Sequence, residues 1–343
     1  MPTTTTSIRD LPFELIEHIL DLAAGTADLE SKASIASRNS FLREAAFICR
    51  DFRYPAQSCL WKILRVHTPE TARKLLSSKS LKCFATTELS VEGVHSGSDG
   101  LSGSTAARVL GKVIGVRTLR LMDFGRLSLR VLQNENLSTL RTLYLMSSFP
   151  DKSTTVDALT FPFHLRTLHL FNRAYSSNLL PTLFSQCSTT LTSLTLITSH
   201  SSPSYPSLVK AFPSVAPNLR HLSLQHRPSP ALIDSLPLCT RLTNLECSFA
   251  VDLGSTLDSL SNARLKTLSI ELDYNLVDIA QVLLLRLDSS TLDRLELLKI
   301  PRAPAKEEFG EFGGQGLLER CQEKGIEVKL GQVVAWRTRS VFD

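Results

Sequence analysis

Leucines recur along most of the chain in the pattern L-x-x-L-x-L, as in LSTLRTLYLM at 137–146 and FHLRTLHLF at 163–171. The middle leucine returns every 23 to 28 residues, at Leu119, Leu143, Leu168, Leu194, Leu222, Leu245, Leu268 and Leu295. TELSV around Leu89 and GIEVKL at 325–330 indicate one earlier and one later copy. Alternate leucines on a short strand point to one side, and only the next repeat covers that side. The pattern therefore predicts a curved solenoid of stacked repeats.

The period lies within the ~20–29 residues of leucine-rich repeats, and the chain resembles that family in the strand half of each repeat. The segments between the strands have apolar residues at helical or near-helical spacing, and Pro181, Pro213 and Pro237 predict short helices or broken turns. The chain departs from the family three residues after the last leucine, where the family often has Asn or Cys. Here that position holds Phe124, Ser148, Arg173, Ser199, Arg227, Ala250, Asp273 and Ile300. Without an Asn ladder, we expect an irregular arc.

Residues 1–66 have a different, helical rhythm. RDLPFELIEHILDLAAG has an apolar stripe, with Asp10 as the expected N-cap and Gly25 as the stop. The stripe consists of Leu11, Leu15, Ile19 and Leu22. A second apolar-periodic stretch, 41–66, follows a polar insert at 26–40. Periodicity alone favours a small helical cap with Trp61 in its core.

The residues of this segment resemble an F-box, whose pattern is L-P-x-E-[LI], then C-[RK]-x-[FW]-[RK], then L-W. The matches are Leu11, Pro12, Glu14, Leu15, Ile19, Leu20, Cys49, Arg50, Phe52, Arg53, Ala56, Leu60 and Trp61. The resemblance covers about a fifth of the chain, and F-box followed by leucine-rich repeats is a familiar domain pairing, with divergent forms in fungi. The predicted fold class is thus α/β: a leucine-rich-repeat solenoid preceded by a small all-α F-box domain.

The predicted organisation has four parts. Residues 1–66 are the F-box-like domain, 67–84 a linker helix, 85–335 the solenoid and 336–343 a tail. In the linker, Thr68 is the expected N-cap and Pro69 the first helical residue.

The resemblance implies a substrate-recognition subunit of a Skp–cullin–F-box ubiquitin ligase. Its partners would be a Skp-family adaptor, through it a cullin, and an unidentified target protein. The chemistry would belong to other subunits, and this chain would place target lysines near the thioester. The residues implied in adaptor binding are Leu11, Pro12, Leu15, Ile19, Leu20, Cys49, Leu60 and Trp61.

The predicted target site comes from two rows of the strands that face away from the leucines. One row reads Arg120, Tyr144, His169, Thr195, Ser223, Glu246, Ser269 and Glu296. The other reads Met122, Met146, Phe171, Ile197, Gln225, Ser248, Glu271 and Leu298. Because Met, aromatic and Arg side chains are typical of interfaces, we expect the target to contact the first half of these rows. That set is Arg120, Met122, Tyr144, Met146, His169, Phe171 and Ile197. The competing interpretation is that the Met, Phe and Ile side chains lie under neighbouring loops.

A third row of Arg and Lys lies two residues before the middle leucine. Its members are Arg117, Arg141, Arg166, Arg220 and Lys266. The simpler interpretation is a solvated basic strip along the rim, and the second is a site for an acidic or phosphorylated partner.

Composition narrows the classes of function. The net charge of +5 on 343 residues has no long basic block behind it, so nucleic acid is an unlikely partner by this pattern. No apolar run reaches the ~18 residues of a membrane span, and the first residues lack the pattern of a secretory signal. Seven scattered cysteines without a C-x-x-C pair predict a reducing compartment, cytosol or nucleus.

The sequence contains no pattern for catalysis, nucleotide binding or zinc binding. G-x-G-x-x-G after a strand, G-x-x-x-x-G-K-[ST], H-E-x-x-H and G-x-S-x-G are all missing, and the eight histidines have no metal-ligand spacing. We therefore expect no enzyme activity, no cofactor and no metal. The alternatives to a ligase subunit are a leucine-rich-repeat scaffold with no link to a ligase and, more weakly, a nucleic-acid or phospholigand binder.

Overall fold

The computed structural model describes residues 11–25, 31–93, 100–149, 159–198, 202–248, 251–271, 276–301, 303 and 306–331. The chain divides into two compact units. Unit 1 contains residues 1–149 and 161–163, and unit 2 contains 150–160 and 164–343. No helix among the described residues is long and apolar enough to cross a membrane.

Unit 1 begins with three helices: α1 (Phe13–Ala24), α2 (Lys32–Ile48) and α3 (Arg50–Lys62). Their shared core consists of Ile16, Leu20, Leu42, Ala45, Ala56 and Cys59. The expected N-cap Asp10 lies outside the described residues, and Pro12 holds the cap position of α1. From residue 32 on, the segment interpreted as a polar insert is helical, and Ser31 caps α2 by accepting a hydrogen bond from the Ser34 amide.

A polar cluster joins the three helices. The guanidinium of Arg38, buried on α2, donates to Asp21 of α1 at 2.6 Å and to the Cys59 carbonyl of α3 at 3.1 Å. Lys62 of α3 bridges Asp21 and Glu17 at 3.2 and 2.9 Å. Burial acts to raise the pKa of Asp21, but the hydrogen bonds from Arg38 and Lys62 outweigh it and hold the pKa below its ordinary value.

Unit 1 continues as four parallel strands, paired in chain order. They are β1 (Ile63–Val66), β2 (Glu88–Glu92), β3 (Thr118–Met122) and β4 (Thr142–Met146), with helices α4 (Pro69–Ser77) and α5 (Gly103–Leu110) between them. Leu64, Leu89, Leu119 and Leu143 are in register, which confirms Leu89 as a copy of the repeat. The predicted cap and start of the linker helix are confirmed, since Thr68 accepts from the Thr71 amide ahead of α4. The sheet begins at Ile63, inside the segment assigned to the helical domain.

The described part of unit 2 contains seven parallel strands, paired in chain order. The strands are β5 (Thr167–Phe171), β6 (Ser193–Ile197), β7 (His221–Leu224), β8 (Asn244–Cys247), β9 (Thr267–Ile270), β10 (Leu297–Ile300) and β11 (Glu327–Leu330). The helices between them are α6 (Leu179–Cys187), α7 (Tyr205–Ala211), α8 (Pro230–Ile233), α9 (Leu253–Ser259), α10 (Leu276–Leu284), α11 (Lys306–Phe309) and α12 (Gln315–Glu323). Stacked parallel strands with short helices confirm the repeat architecture and the α/β class.

The predicted alignment of the leucines is correct for seven copies and wrong for the eighth. Leu168, Leu194, Leu222, Leu245 and Leu268 are in register, but the next partner is Leu298. The segment from Leu292 to Ile300 fits the pattern in two frames, and the frame that ends on Ile300 is the one that forms a strand. Lys299 therefore occupies the outward position assigned to Glu296, and Leu298 lies fully buried in the core.

Successive repeats share a recurring backbone contact. The carbonyl of the residue two before the buried leucine accepts hydrogen bonds from two backbone amides of the next repeat. The Arg166 carbonyl accepts from the amides of Thr192 and Ser193 at 2.9 and 3.0 Å. The carbonyls of Thr87, Arg117, Thr192, Arg220, Thr243 and Lys266 accept in the same way. Threonine hydroxyls often add a third bond, as Thr243 does to the Arg220 carbonyl at 3.1 Å. These bonds connect successive repeats at the start of the strands, at the opposite end from the position where the family often has asparagine.

Leu168→Asp tests the stacking. Leu168 is fully buried, so an aspartate there places an unpaired charge between two layers of unit 2. We expect a loss of roughly 3 kcal/mol or more in the free energy of unfolding, measured from the urea midpoint. Thr167→Asp, at the neighbouring half-exposed position of β5, is the control. Equal midpoints for the two variants would contradict the stacked architecture.

Asp21→Asn tests the polar cluster. The substitution removes the carboxylate between Arg38 and Lys62, and because Asp21 is partly exposed we expect a modest loss of about 1–2 kcal/mol at neutral pH. Since the folded pKa of Asp21 is lowered, its contribution is present above the unfolded pKa, near 4, and disappears as the pH falls through the lower folded pKa. The difference between wild type and variant should therefore shrink below about pH 4.

Trp61 fluorescence in a Trp336→Phe background reports unfolding of the segment that contains Asp21. Glu14→Gln, an exposed acid on the same helix, should change stability little at any pH. A pH-independent effect of Asp21→Asn would show that the carboxylate charge is not what joins the helices.

Candidate protein-binding surfaces

Helix α1 has apolar side chains on opposite faces. Ile16 and Leu20 point into the three-helix core, with 6% and 5% of their surfaces exposed. Leu15, Ile19 and Leu22 follow one another at four- and three-residue steps on the other face, with exposures of 43%, 45% and 68%. The stripe read from the sequence therefore faces solvent over most of its length, and a different set of residues forms the core.

Further exposed apolar side chains lie on α2 and α3. Phe47 and Ile48 are 88% and 71% exposed at the end of α2, and Tyr54 is 54% exposed on α3. Across the described residues, eight of the eleven large hydrophobic side chains that are exposed lie between residues 13 and 54. Such a concentration on one small subdomain is typical of an interaction surface. We call Leu15, Ile19 and Leu22, which share one face of α1, the apolar helix surface.

Residues implied in adaptor binding divide into three groups. Pro12, Leu15 and Ile19 are exposed. Leu11, Cys49, Leu60 and Trp61 are half-buried, and Leu11 and Leu60 pack against the helical core. Leu20 lies in the core itself, so its side chain supports helix packing and does not reach the surface. The predicted adaptor-binding set did not include the exposed Leu22, Phe47 and Ile48, because apolar periodicity looks the same for a core face and for an exposed face.

Four aromatic rings join the helices to the segment that follows α4. The ring of Phe13 lies 5.3 Å from that of Tyr54, which lies 5.0 Å from that of Phe84. Trp61 stacks on Phe84 at 6.4 Å with an angle of 11° between the ring planes. Phe84 is buried at the end of the predicted linker. The helices and the linker of unit 1 are therefore packed on each other through Phe84.

The outward face of the unit 1 sheet carries part of the predicted target site. The guanidinium of Arg120 lies 4.2 Å from the centre of the Tyr144 ring, a cation–π contact. Met122 and Met146 are neighbours in register, and all four side chains are half-buried. Nearby, burial raises the pKa of Glu88, opposed in part by the charge of Arg120. This surface combines an orienting cation with adaptable apolar side chains.

The other predicted target residues belong to unit 2. Phe171 and Ile197 are half-buried neighbours in register. The Tyr175 hydroxyl accepts from the Phe171 amide at 3.1 Å and donates to its carbonyl at 2.8 Å, which fixes the end of β5. His169 is only 4% exposed. Its side chain is therefore buried and not on the exposed surface that the predicted target site requires.

Farther along unit 2 the outward face is charged. Burial, followed by the charge of Glu271, raises the pKa of Glu246, while a hydrogen bond from Ser223 and the charge of Lys299 oppose the shift. Of the three glutamates that the sequence places in the second half of the two rows, Glu246 and Glu271 remain, because Lys299 replaces Glu296 in its row. Within the described residues, no cluster of His, Cys, Asp or Glu has a metal-binding arrangement.

Comparison with known proteins adds little to this geometry. No protein-family model and no curated protein matches the chain. The chain is similar to a chain in the crystal structure of the TLR13–ssRNA13 complex, at 15% identity and a TM-score of 0.36, over 76% of this chain and 37% of that one. It is also similar to a chain in the crystal structure of the yeast Rad7 and Elc1 complex, at 12% identity and a TM-score of 0.25, over 84% and 87%. The chain thus spans little more than a third of the TLR13 chain, and TM-scores this low leave the function open.

Tyr144→Ala with Met146→Ala tests the outward face of unit 1. Both side chains are half-buried on β4, and their loss removes the ring on which Arg120 rests. We expect proximity labelling in cells to lose specific partners, because removing two anchors typically weakens binding about a hundredfold. Thr195→Ala with Ser269→Ala, at equivalent outward positions of unit 2, should retain them. An unchanged set of labelled partners would exclude this face as the target site.

Proposed function

We propose that this chain is a substrate-recognition subunit of a Skp–cullin–F-box ubiquitin ligase. Helices α1–α3 dock a Skp-family adaptor, and the repeats hold the target protein. The chain has no catalytic role of its own, and its contribution is to raise the effective concentration of target lysines near the ubiquitin thioester.

The observation that carries the proposal is the apolar helix surface. The core of the three helices is already formed by other residues, so folding does not require Leu15, Ile19 and Leu22 to be apolar. Exposed apolar area is worth roughly 25 cal/mol per Å² once a partner covers it. The surface therefore has the chemistry of a docking site for another protein.

The motif residues support the same conclusion from the sequence side. Leu20 lies in the helical core, and Leu11 and Leu60 pack against it, so these matches maintain the fold of the segment. Leu15 and Ile19 belong to the same motif, yet they face solvent. Such a division of the motif between core and surface is expected of a small domain whose exposed residues bind another protein.

The packing of Phe84 on Tyr54 and Trp61 bears on how the target is positioned relative to the adaptor. A recognition subunit has to hold its target site in a fixed position relative to the adaptor. Within unit 1, the aromatic contacts fix the helices to the segment that leads into β2, which limits their relative motion.

Adaptor binding is tested with Leu15→Ser and Ile19→Ser together. Both positions are exposed, so the variant should fold normally while losing about a hundredfold in affinity for a recombinant Skp-family adaptor, measured by titration calorimetry. Leu238→Ser with Leu285→Ser removes two exposed leucines from unit 2 and should bind the adaptor as the wild type does.

Equal adaptor affinity in the two double variants would contradict docking through α1. A wild-type chain that binds no adaptor, yet retains partners through its repeats, would favour the alternative of a scaffold with no link to a ligase.

A further inference from the structure

Along the edge of the unit 2 sheet where the strands begin, the portion formed by β5–β9 is basic, whereas the segment before β10 has the exposed acids Asp293 and Glu296. Five described segments form this edge in β5–β9 and the turns before them: 164–167, 188–193, 217–221, 239–244 and 261–267. Together they contain no Asp or Glu. Their cations, all exposed, are Arg166, Arg220, Arg241, Arg264 and Lys266. We call these five residues the basic edge.

Most of this charge is not neutralised within the described part of the chain. Arg166, Arg220 and Arg264 form no ion pair with any described carboxylate, and Arg241 donates to the amide oxygen of Asn218 at 3.1 Å. Lys266 pairs with Glu296 at 2.7 Å, although both side chains are more than half exposed. An exposed ion pair of this kind contributes little and is readily exchanged for another partner.

The backbone beneath these side chains is held firmly. The carbonyls of Arg166, Arg220 and Lys266 each accept two amides from the following repeat. Thr192 and Thr243 occupy the same position on the intervening strands, and their hydroxyls donate to the carbonyls of Arg166 and Arg220 at 3.3 and 3.1 Å. Cations therefore recur on every second strand, on a fixed backbone.

We propose that the basic edge binds an extended acidic segment of a partner protein. Strands lie about 4.8 Å apart, so cations on alternate strands are separated by roughly 10 Å. In the extended polyproline II conformation every third residue lies on the same side of the peptide, and these residues are separated by about 9 Å, which matches acids at every third position to Arg166, Arg220 and Lys266. The inference rests on the proposed function in one respect, because the partner protein is the target of a ligase only if the proposed function is correct.

The composition of the edge favours a peptide over a nucleic acid. Single-stranded nucleic acids are held by aromatic side chains that stack on the bases, alternating with basic ones. The five segments contain no Phe, Tyr or Trp. The edge thus offers charge and guanidinium hydrogen bonds to carboxylates, without a stacking platform.

The experiment measures binding of two fluorescent peptides to the full chain by anisotropy, without any adaptor. One peptide has the sequence (Glu-Ser-Gly)4, and the other has the same composition with its four glutamates in one block. We expect the spaced peptide to bind more tightly and its affinity to fall steeply with added salt. Arg220→Glu with Arg264→Glu should weaken it at least tenfold, and Arg220→Gln with Arg264→Gln should have a smaller effect in the same direction. Lys210→Glu with Arg227→Glu, two exposed cations of unit 2 outside the edge, makes the same change in charge and should have little effect.

Three results would overturn the proposal. They are no binding of the spaced peptide by the wild type, equal weakening by the edge and control variants, and tighter binding of oligo-dT through the same arginines. The last result would assign the edge to nucleic acid. Because no adaptor is present, loss of peptide binding counts only against this inference, and loss of adaptor binding in the earlier test counts only against the proposed function.

Discussion

The sheets of both units depend on one backbone carbonyl that recurs in the described repeats. It lies two residues before the buried leucine and accepts two amides from the next repeat, as Arg117 does from Arg141 and Thr142 at 2.8 and 2.9 Å. This contact recurs in the observed register, and the register decides which residues of each strand are buried and which face outward. The buried leucines, the outward rows and the basic edge are all consequences of the same repeated contact.

The helical segment of unit 1 is organised by a different constraint. Its core of six buried side chains is small, and the buried Arg38 would be unfavourable without the carboxylate of Asp21 and the carbonyl of Cys59. The polar cluster therefore fixes how the three helices pack, and the apolar residues not needed for the core are free to face outward. A segment built in this way presents Leu15, Ile19 and Leu22 on a defined scaffold.

The sequence was sufficient to predict the repeat, its period and the register of most strands, because a buried leucine recurs at the same place in each copy. It failed at Leu295, where two frames satisfy the pattern and only strand pairing distinguishes them. It missed the first half of α2, since the segment from 32 to 40 is polar and its helix is stabilised by a cap and by packing. For the candidate sites, the sequence could not predict which side chains are buried. Periodicity indicates that α1 has an apolar stripe, but not that a second one, Ile16 and Leu20, forms the core, and nothing in the strand pattern indicates that His169 is buried.

The basic edge shows how a repeat separates the demands of folding from those of binding. At the position two residues before the leucine, the repeated contact uses only the backbone amide and carbonyl, so it places no requirement on an arginine or lysine side chain. Threonine at that position contributes to stability through its hydroxyl, as Thr192 and Thr243 do, whereas Arg166 and Arg220 contribute no such bond. Uncompensated cations close together are unfavourable for a folded protein by themselves. Folding therefore does not explain why arginine and lysine occupy these places on alternate strands, and binding of an acidic partner does.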